Sequence, residues 1–310
     1  MFLNKLKIFF KRPGEYFRYK KKLIRNVYFL ISKYMHFRTF YSRVYKKNFS
    51  SSILEKNDLI NKNEGYKLIS YKILNDRNLK VNELLESVNN DLNKFDLQKF
   101  KNTSTGVIPI KSFIDFNSES PEFKFVTNTY LIEIVSRYLK CVPLLTNLSL
   151  WYSPNDRIFE NSSQEYHLDH EDYKQVKGFL FINEIDLHTG PLSIINCEQS
   201  SNIERLLNYK MTKKDKRVND KIIKDLKKNI NINENIMTGK SGDLLLCDTS
   251  NCFHFGSRLG KKPRFILAFQ YVTPFGFSID WNWKSSDKLP FRNSQYKASS
   301  LVMKVLGKEI

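Results

Sequence analysis

The sequence predicts a mainly β protein with flanking helices, of the α+β class. Three observations carry this expectation. After residue 144 the chain is dominated by short apolar runs separated by turns. Helix-spaced apolar positions are gathered before that point. The 310 residues, 41% of them hydrophobic, are enough to bury a sizeable core. Such a pattern favours a β-sandwich or double-sheet jelly roll carrying N-terminal helices.

The chain opens with a basic arm. Residues 1–50 hold fourteen Lys/Arg and one acid, Glu15, a net +13, whereas the remaining 260 residues carry only +6. The body is therefore only mildly basic, and its charge is no argument for nucleic acid. From Leu23 the apolar positions Leu23, Val27, Leu30, Ile31, Tyr34, Phe37, Tyr41 and Val44 fall on one helical stripe, and Pro13-Gly14 is expected to break the helix before them. Two readings stay open. The stripe can lie on an anionic membrane surface, or it can pack on the domain with its charges in water. The apolar run 27–31 is far short of the ~20 residues a membrane span needs. Residues 1–10 lack the apolar core and small-residue cleavage site of a signal peptide. The expected location is the cytoplasm, with peripheral membrane contact open.

Ser50-Ser51-Ser52 reads as a linker. The organisation expected is a basic amphipathic helical arm (1–50), a β domain (51–283) and a tail (284–310) with one short helix at 301–306. Within the domain, 66–75 reads as a strand, and 81–94 and 127–139 as helices. Strands are expected at 145–152, 176–185, 192–195, 244–247 and 264–273. Residues 201–235 interrupt this series. They are rich in Lys and Asn, with a helical stretch around Ile222, Ile223 and Leu226, and read as a lid or a surface insertion. Cys141, Cys197, Cys247 and Cys252 form no Cys-x-x-Cys pair. They read as buried small hydrophobes of a reducing compartment, not as a zinc site.

The chemistry is concentrated in Gln164-Glu165-Tyr166-His167-Leu168-Asp169. On an extended strand, residues two apart point to the same side, so His167 and Asp169 can converge on one ion. A third ligand must come from elsewhere. His254 is the best candidate, after the strand 244–247 and beside Gly256, where backbone can approach closely. Two imidazoles and one carboxylate that leave coordination positions open are the ligand set of non-heme Fe(II) oxygenases. Arg264 starts the last long strand, and its guanidinium fork suits the far carboxylate of a co-substrate. Each assignment has a rival. His170-Glu171-Asp172 repeats the His-x-Asp spacing, and Arg258 lies nearer to His254 but in a turn. His36 and His188 read as incidental.

Taken in order, residues 163–169, residues 177–186, Gly190-Pro191-Leu192, residues 242–249, His254 and Arg264 resemble the phytanoyl-CoA dioxygenase family, over roughly residues 120–275. The resemblance implies a double-stranded β-helix (a cupin-like jelly roll), with Fe(II) held by His167, Asp169 and His254. It implies 2-oxoglutarate as co-substrate, paired with Arg264, and O2. It places Gln164 and Lys177 where they line the co-substrate or substrate pocket. Related halogenases carry a small residue in place of the metal carboxylate. The presence of Asp169 therefore implies hydroxylation of an unactivated C–H bond, in a small molecule, lipid or sugar precursor. Residues 194–200 depart from the family pattern, which commonly ends in Gly-Ser-His here, and that leaves the lid region and the substrate open. Two other classes stay in play. A cupin-like metal-dependent isomerase or hydrolase would not need 2-oxoglutarate. A non-catalytic membrane-surface protein on the same fold would not bind iron.

Overall fold

The computed structural model describes residues 13–17, 20, 22–100, 106–112, 119–156, 162–209, 217–256, 258, 260–277, 279, 291 and 299–308. Residues 1–12 of the arm and most of the expected tail lie outside the described residues. The strands are β1 (Tyr66–Ile69), β2 (Ile108–Ser112), β3 (Leu144–Ser153), β4 (Gln175–Phe181), β5 (Leu192–Ile194), β6 (Asn235–Met237), β7 (Leu244–Cys247), β8 (His254–Phe255) and β9 (Arg264–Val272). Among the described residues they form a six-stranded sheet, ordered β1-β7-β4-β9-β3-β2, and a three-stranded sheet, ordered β6-β5-β8. All pairings are antiparallel.

The two-residue alternation of a strand decides what each face of the large sheet does. Val176 and Leu180 of β4, Leu244 and Leu246 of β7, and Leu267, Phe269 and Tyr271 of β9 point into the main core. That core is closed by the helices Val81–Leu92, Pro121–Val126 and Thr129–Leu139. The alternate residues Phe179, Phe181, Leu245, Ile266 and Ala268 form a second cluster on the opposite face. Lys177 and Arg264 share the strand parity of that second set and so reach the same side.

Gly178 sits where β4 crosses β9, paired with Phe269. A Cβ built on it would lie 2.0 Å from the Phe269 ring. The ring lies over the bare backbone, and packing requires the glycine there. Gly178→Ala is expected to destabilise the fold by about 1–3 kcal/mol, the usual cost of overpacking. Denaturant unfolding checks this, and a variant as stable as the parent would show that Phe269 has room to move.

Several elements differ from expectation, each for a local reason. The strand expected at 66–75 ends at Ile69, because Ser70 caps a helix, Tyr71–Asp76, by accepting from the Ile73 amide. The strand expected at 176–185 stops at Phe181. The helix expected at 127–139 is preceded by a separate one, Pro121–Val126. The break falls at Asn128, whose side chain accepts from the Tyr130 amide and starts Thr129–Leu139. The insertion 201–235 is entered on a helix, Cys197–Leu206, capped by Asn196, and contains a second, Asp220–Leu226. Strands β2 and β6 were not visible in the pattern. β2 contains Pro109 and lies at a sheet edge, where a missing backbone donor is tolerated.

The described part of the arm is bound to the body. Pro13 opens a short helix, Pro13–Phe17, and the stripe region is cut into Lys22–Met35, Phe37–Arg43 and Tyr45–Asn48. Arg43 is fully buried and donates to the carbonyl oxygens of Val142 and Lys304. On helix Lys22–Met35 the buried side chains are Arg25, Tyr28, Phe29 and Ser32. Phe29 packs against Tyr173 and Phe275, and Arg25 and Lys22 pair with Glu204. The predicted stripe is on the other side. Leu23, Val27, Leu30, Ile31 and Tyr34 all face outward.

Candidate metal centre

His167 and His254 are directly opposite each other in an antiparallel bridge. Their amides and carbonyls exchange both backbone hydrogen bonds, at 3.0 and 3.1 Å. Facing residues of such a pair project to the same side, and the imidazole centroids lie 4.3 Å apart. Asp169, two residues beyond His167, projects to that side as well, and its amide donates to the Thr249 carbonyl at 2.8 Å. Its carboxylate lies 3.9 Å from His167 Nε2 and 3.7 Å from His254 Nε2. One ligand atom from each of the three residues falls within 4.8 Å of the others, a spacing able to hold a metal ion.

The ring orientation is fixed from behind. His167 Nδ1 lies 2.8 Å from the Glu165 carbonyl oxygen, and His254 Nδ1 lies 2.9 Å from that of Cys252. A carbonyl only accepts, so each Nδ1 carries the proton and each Nε2 turns a lone pair toward Asp169. This second contact behind the ring is the usual support of a metal-ligating imidazole. Burial, reinforced by neighbouring His254, holds His167 well below its ordinary pKa, and burial lowers His254 too. Both rings are therefore neutral at pH 7, as ligation requires. Burial alone would raise the Asp169 carboxyl. The Lys177 ammonium, 2.6 Å away, and the two imidazoles outweigh it and hold Asp169 well below the usual carboxylate range. The carboxylate is thus ionised.

These groups line a cavity of about 340 Å³ together with Arg264. Its walls include Trp151, Phe179, Phe181, Leu245 and Ile266. Arg264 is 6% exposed, and its Nη1 donates to the Gly190 carbonyl at 2.8 Å. Its Nε has no hydrogen-bond partner among the described residues, and no described carboxylate pairs with it. Burial lowers its pKa to about 10, so it remains a cation at neutral pH. A buried guanidinium without an anion is costly unless a ligand supplies one. Gly256 leaves the room it occupies, since a Cβ there would stand 3.3 Å from Arg264 Nη2.

The rivals are engaged elsewhere. Arg258 gives both terminal nitrogens to Asp220, at 2.6 and 2.7 Å, and its Nε to the Gln164 carbonyl. Asp172 accepts from the amides of Tyr173 and Thr273, and burial raises its pKa to about 7. It ties the end of β9 and is not part of the ligand group. Lys177 lines the cavity, with its ammonium committed to Asp169. Gln164 is buried against Gly106 and is not among the cavity-lining residues. Three of the cysteines are buried, and Cys197 and Cys252 lie with their sulfurs 3.3 Å apart as free thiols.

Arg217 was missed by sequence reasoning. It lines the cavity because Val218 pairs with Tyr166, next to His167, in an isolated bridge. Nothing in the Lys- and Asn-rich insertion marks that long-range contact. Trp151 and Met237 were also passed over as cavity residues, though strand parity places Trp151 on the cavity face.

No family model matches the sequence, and neither does any curated protein sequence. Among solved structures, the chain is similar to EctD from S. alaskensis with bound Fe (16% identity, TM-score 0.47, covering 72% of this chain and 80% of that one). It is similar also to the epimerase SnoN in complex with Fe3+, alpha ketoglutarate and nogalamycin RO (11% identity, TM-score 0.43, 68% and 80% covered). A third is AviO1 from Streptomyces viridochromogenes Tue57 (10% identity, TM-score 0.43, 69% and 91% covered).

Proposed function

We propose that the protein is an Fe(II)- and 2-oxoglutarate-dependent dioxygenase that hydroxylates an unactivated C–H bond of a small molecule, lipid or sugar precursor. The scaffold is read as a double-stranded β-helix, the two sheets facing each other across the cavity. The observation that carries the reading is the placing of two Nε2 atoms and an ionised carboxylate in one cavity with a buried Arg264 that pairs with no described carboxylate. Imidazole and carboxylate with open positions suit Fe(II), and the cationic fork suits a carboxylate-bearing co-substrate.

In this reading His167, Asp169 and His254 hold the metal, and Arg264 pairs with the far carboxylate of 2-oxoglutarate. When bound, iron with 2-oxoglutarate and O2 supplies the oxidising power for hydroxylation. The chain supplies geometry and electrostatics. The carbonyls of Glu165 and Cys252 keep the imidazole tautomers fixed. Lys177 keeps Asp169 ionised and oriented. Trp151, Phe179, Phe181, Leu245 and Ile266 keep the reacting region dry. The insertion 201–235, which brings Arg217 to the cavity, is read as its lid. Asp169, present where halogenases have a small residue, favours hydroxylation. The setting proposed is a cytoplasmic protein peripheral to a membrane.

Anaerobic Fe(II) titration with and without 2-oxoglutarate tests the assignment. A weak visible charge-transfer band that needs both is expected, with succinate formed on exposure to O2. Metal uptake with no response to 2-oxoglutarate would favour an isomerase or hydrolase instead. No metal uptake would favour a non-catalytic role.

A further inference from the structure

We infer that the outward face of helix Lys22–Met35, continued by Phe37 and Tyr41, docks on an anionic lipid surface. A helix on a globular domain normally turns its polar side to water. This one does the reverse. Its inward side carries Arg25 and Ser32 between Tyr28 and Phe29, all buried. Its outward side is nearly all apolar, with Leu23 73% exposed, Leu30 64% and Tyr34 82%. Val27 and Ile31 complete the face.

Exposed single hydrophobics are ordinary, but a contiguous patch marks a binding surface. Of the sixteen exposed large hydrophobics among the described residues, ten lie between Tyr16 and Tyr41. The patch is therefore concentrated on this one segment.

Charge decides the occupant. Arg38, Lys46 and Lys47 are exposed on the same stretch of chain. Lys47 lies over the Tyr41 ring, so its long side chain runs along the exposed aromatic and carries its charge outward. Residues 1–50 contain one acid, Glu15, against fourteen Lys/Arg. A second copy of the chain would bring a second +13 arm to the same face and be repelled. An anionic bilayer supplies the opposite charge and an apolar layer beneath it. No described helix is long and apolar enough to cross a membrane, so the helix lies along the surface.

The test uses the full chain, because the arm packs on the body, and it is independent of the iron assignment. Co-sedimentation is measured with vesicles of phosphatidylcholine alone and of phosphatidylcholine mixed with phosphatidylglycerol. Binding is expected only to the anionic vesicles, weakening as salt screens the attraction over about 10 Å at 0.1 M. The double variant Val27→Glu, Leu30→Glu is expected to stop binding while leaving the thermal transition and Fe(II) uptake unchanged, since both side chains face solvent. Removing three cations (Arg38→Gln, Lys46→Gln, Lys47→Gln) is expected to weaken binding on the order of a hundredfold at low salt. The inference is overturned if the full chain ignores anionic vesicles at low salt or binds neutral ones equally well. It is also overturned if the glutamate variant still binds, which would assign the contact to residues 1–12. A dimer in sedimentation velocity that the same variant dissociates would make a second copy the occupant and overturn it too.

Discussion

Asp169→Ala is expected to lose Fe(II) binding in an anaerobic titration, by more than the roughly 10–100-fold that loss of a mere supporting group costs. The variant removes the anionic member of a three-ligand set. It also strands Lys177, whose ammonium is 2.6 Å from the carboxylate and whose side chain is only 16% exposed. Breaking a buried ion pair on one side typically costs about 3–5 kcal/mol, so poor folding alone could mimic the loss. The double variant Asp169→Ala, Lys177→Met separates the two effects. It replaces both partners, so stability should largely return while iron binding should not. Recovery of iron binding in the double variant would remove Asp169 from the ligand set. Asp172→Asn is the comparison, because Asp172 bonds to backbone amides and lies outside the group. Iron lost in Asp172→Asn but kept in Asp169→Ala would move the site to the overlapping pair.

Much of this site was legible because strand geometry is short-ranged and regular. His167 and Asp169 share a side by two-residue alternation. The same rule takes Arg264, Ile266 and Ala268 of β9, and Lys177, Phe179 and Phe181 of β4, to the cavity face. The strands 145–152, 244–247 and 264–273 were legible within a residue or so of their ends for the same reason.

What failed was set by tertiary contacts. Arg217 reaches the cavity through the bridge between Val218 and Tyr166, which no local pattern encodes. The arm is the clearest case. A stripe of apolar residues reads as the inner face of a helix, because burial is the usual reason for apolar periodicity. Here an aromatic and polar side, Arg25, Tyr28, Phe29 and Ser32, is the inner one. Periodicity locates an apolar face; it does not say what the face meets.

Arg264→Met is expected to change stability and co-substrate binding in opposite directions. In the metal-free protein the Arg264 guanidinium is buried, makes one described hydrogen bond to the Gly190 carbonyl, and has no described carboxylate partner. Replacing an uncompensated buried charge with an apolar side chain of similar length is usually neutral or stabilising. The thermal midpoint of the apo protein should therefore hold or rise, even though Gly190 loses its donor. Binding of 2-oxoglutarate to the Fe(II) form should weaken by about 1.5–3 kcal/mol, the range for a hydrogen bond to a charged group, or about ten- to a hundredfold. Fe(II) affinity without 2-oxoglutarate should stay as it was, since Arg264 is not a ligand. Arg264→Lys restores the charge without the planar fork and should recover only part of the loss. Titration of the charge-transfer band against 2-oxoglutarate, beside a thermal melt of each apo variant, reads both signs at once. Unchanged 2-oxoglutarate affinity in Arg264→Met would pass the anchoring role to Lys177 or Arg258. A large drop in apo stability would mean that Arg264 is a structural strut for the Gly190 turn, with its apparent freedom to take an anion incidental.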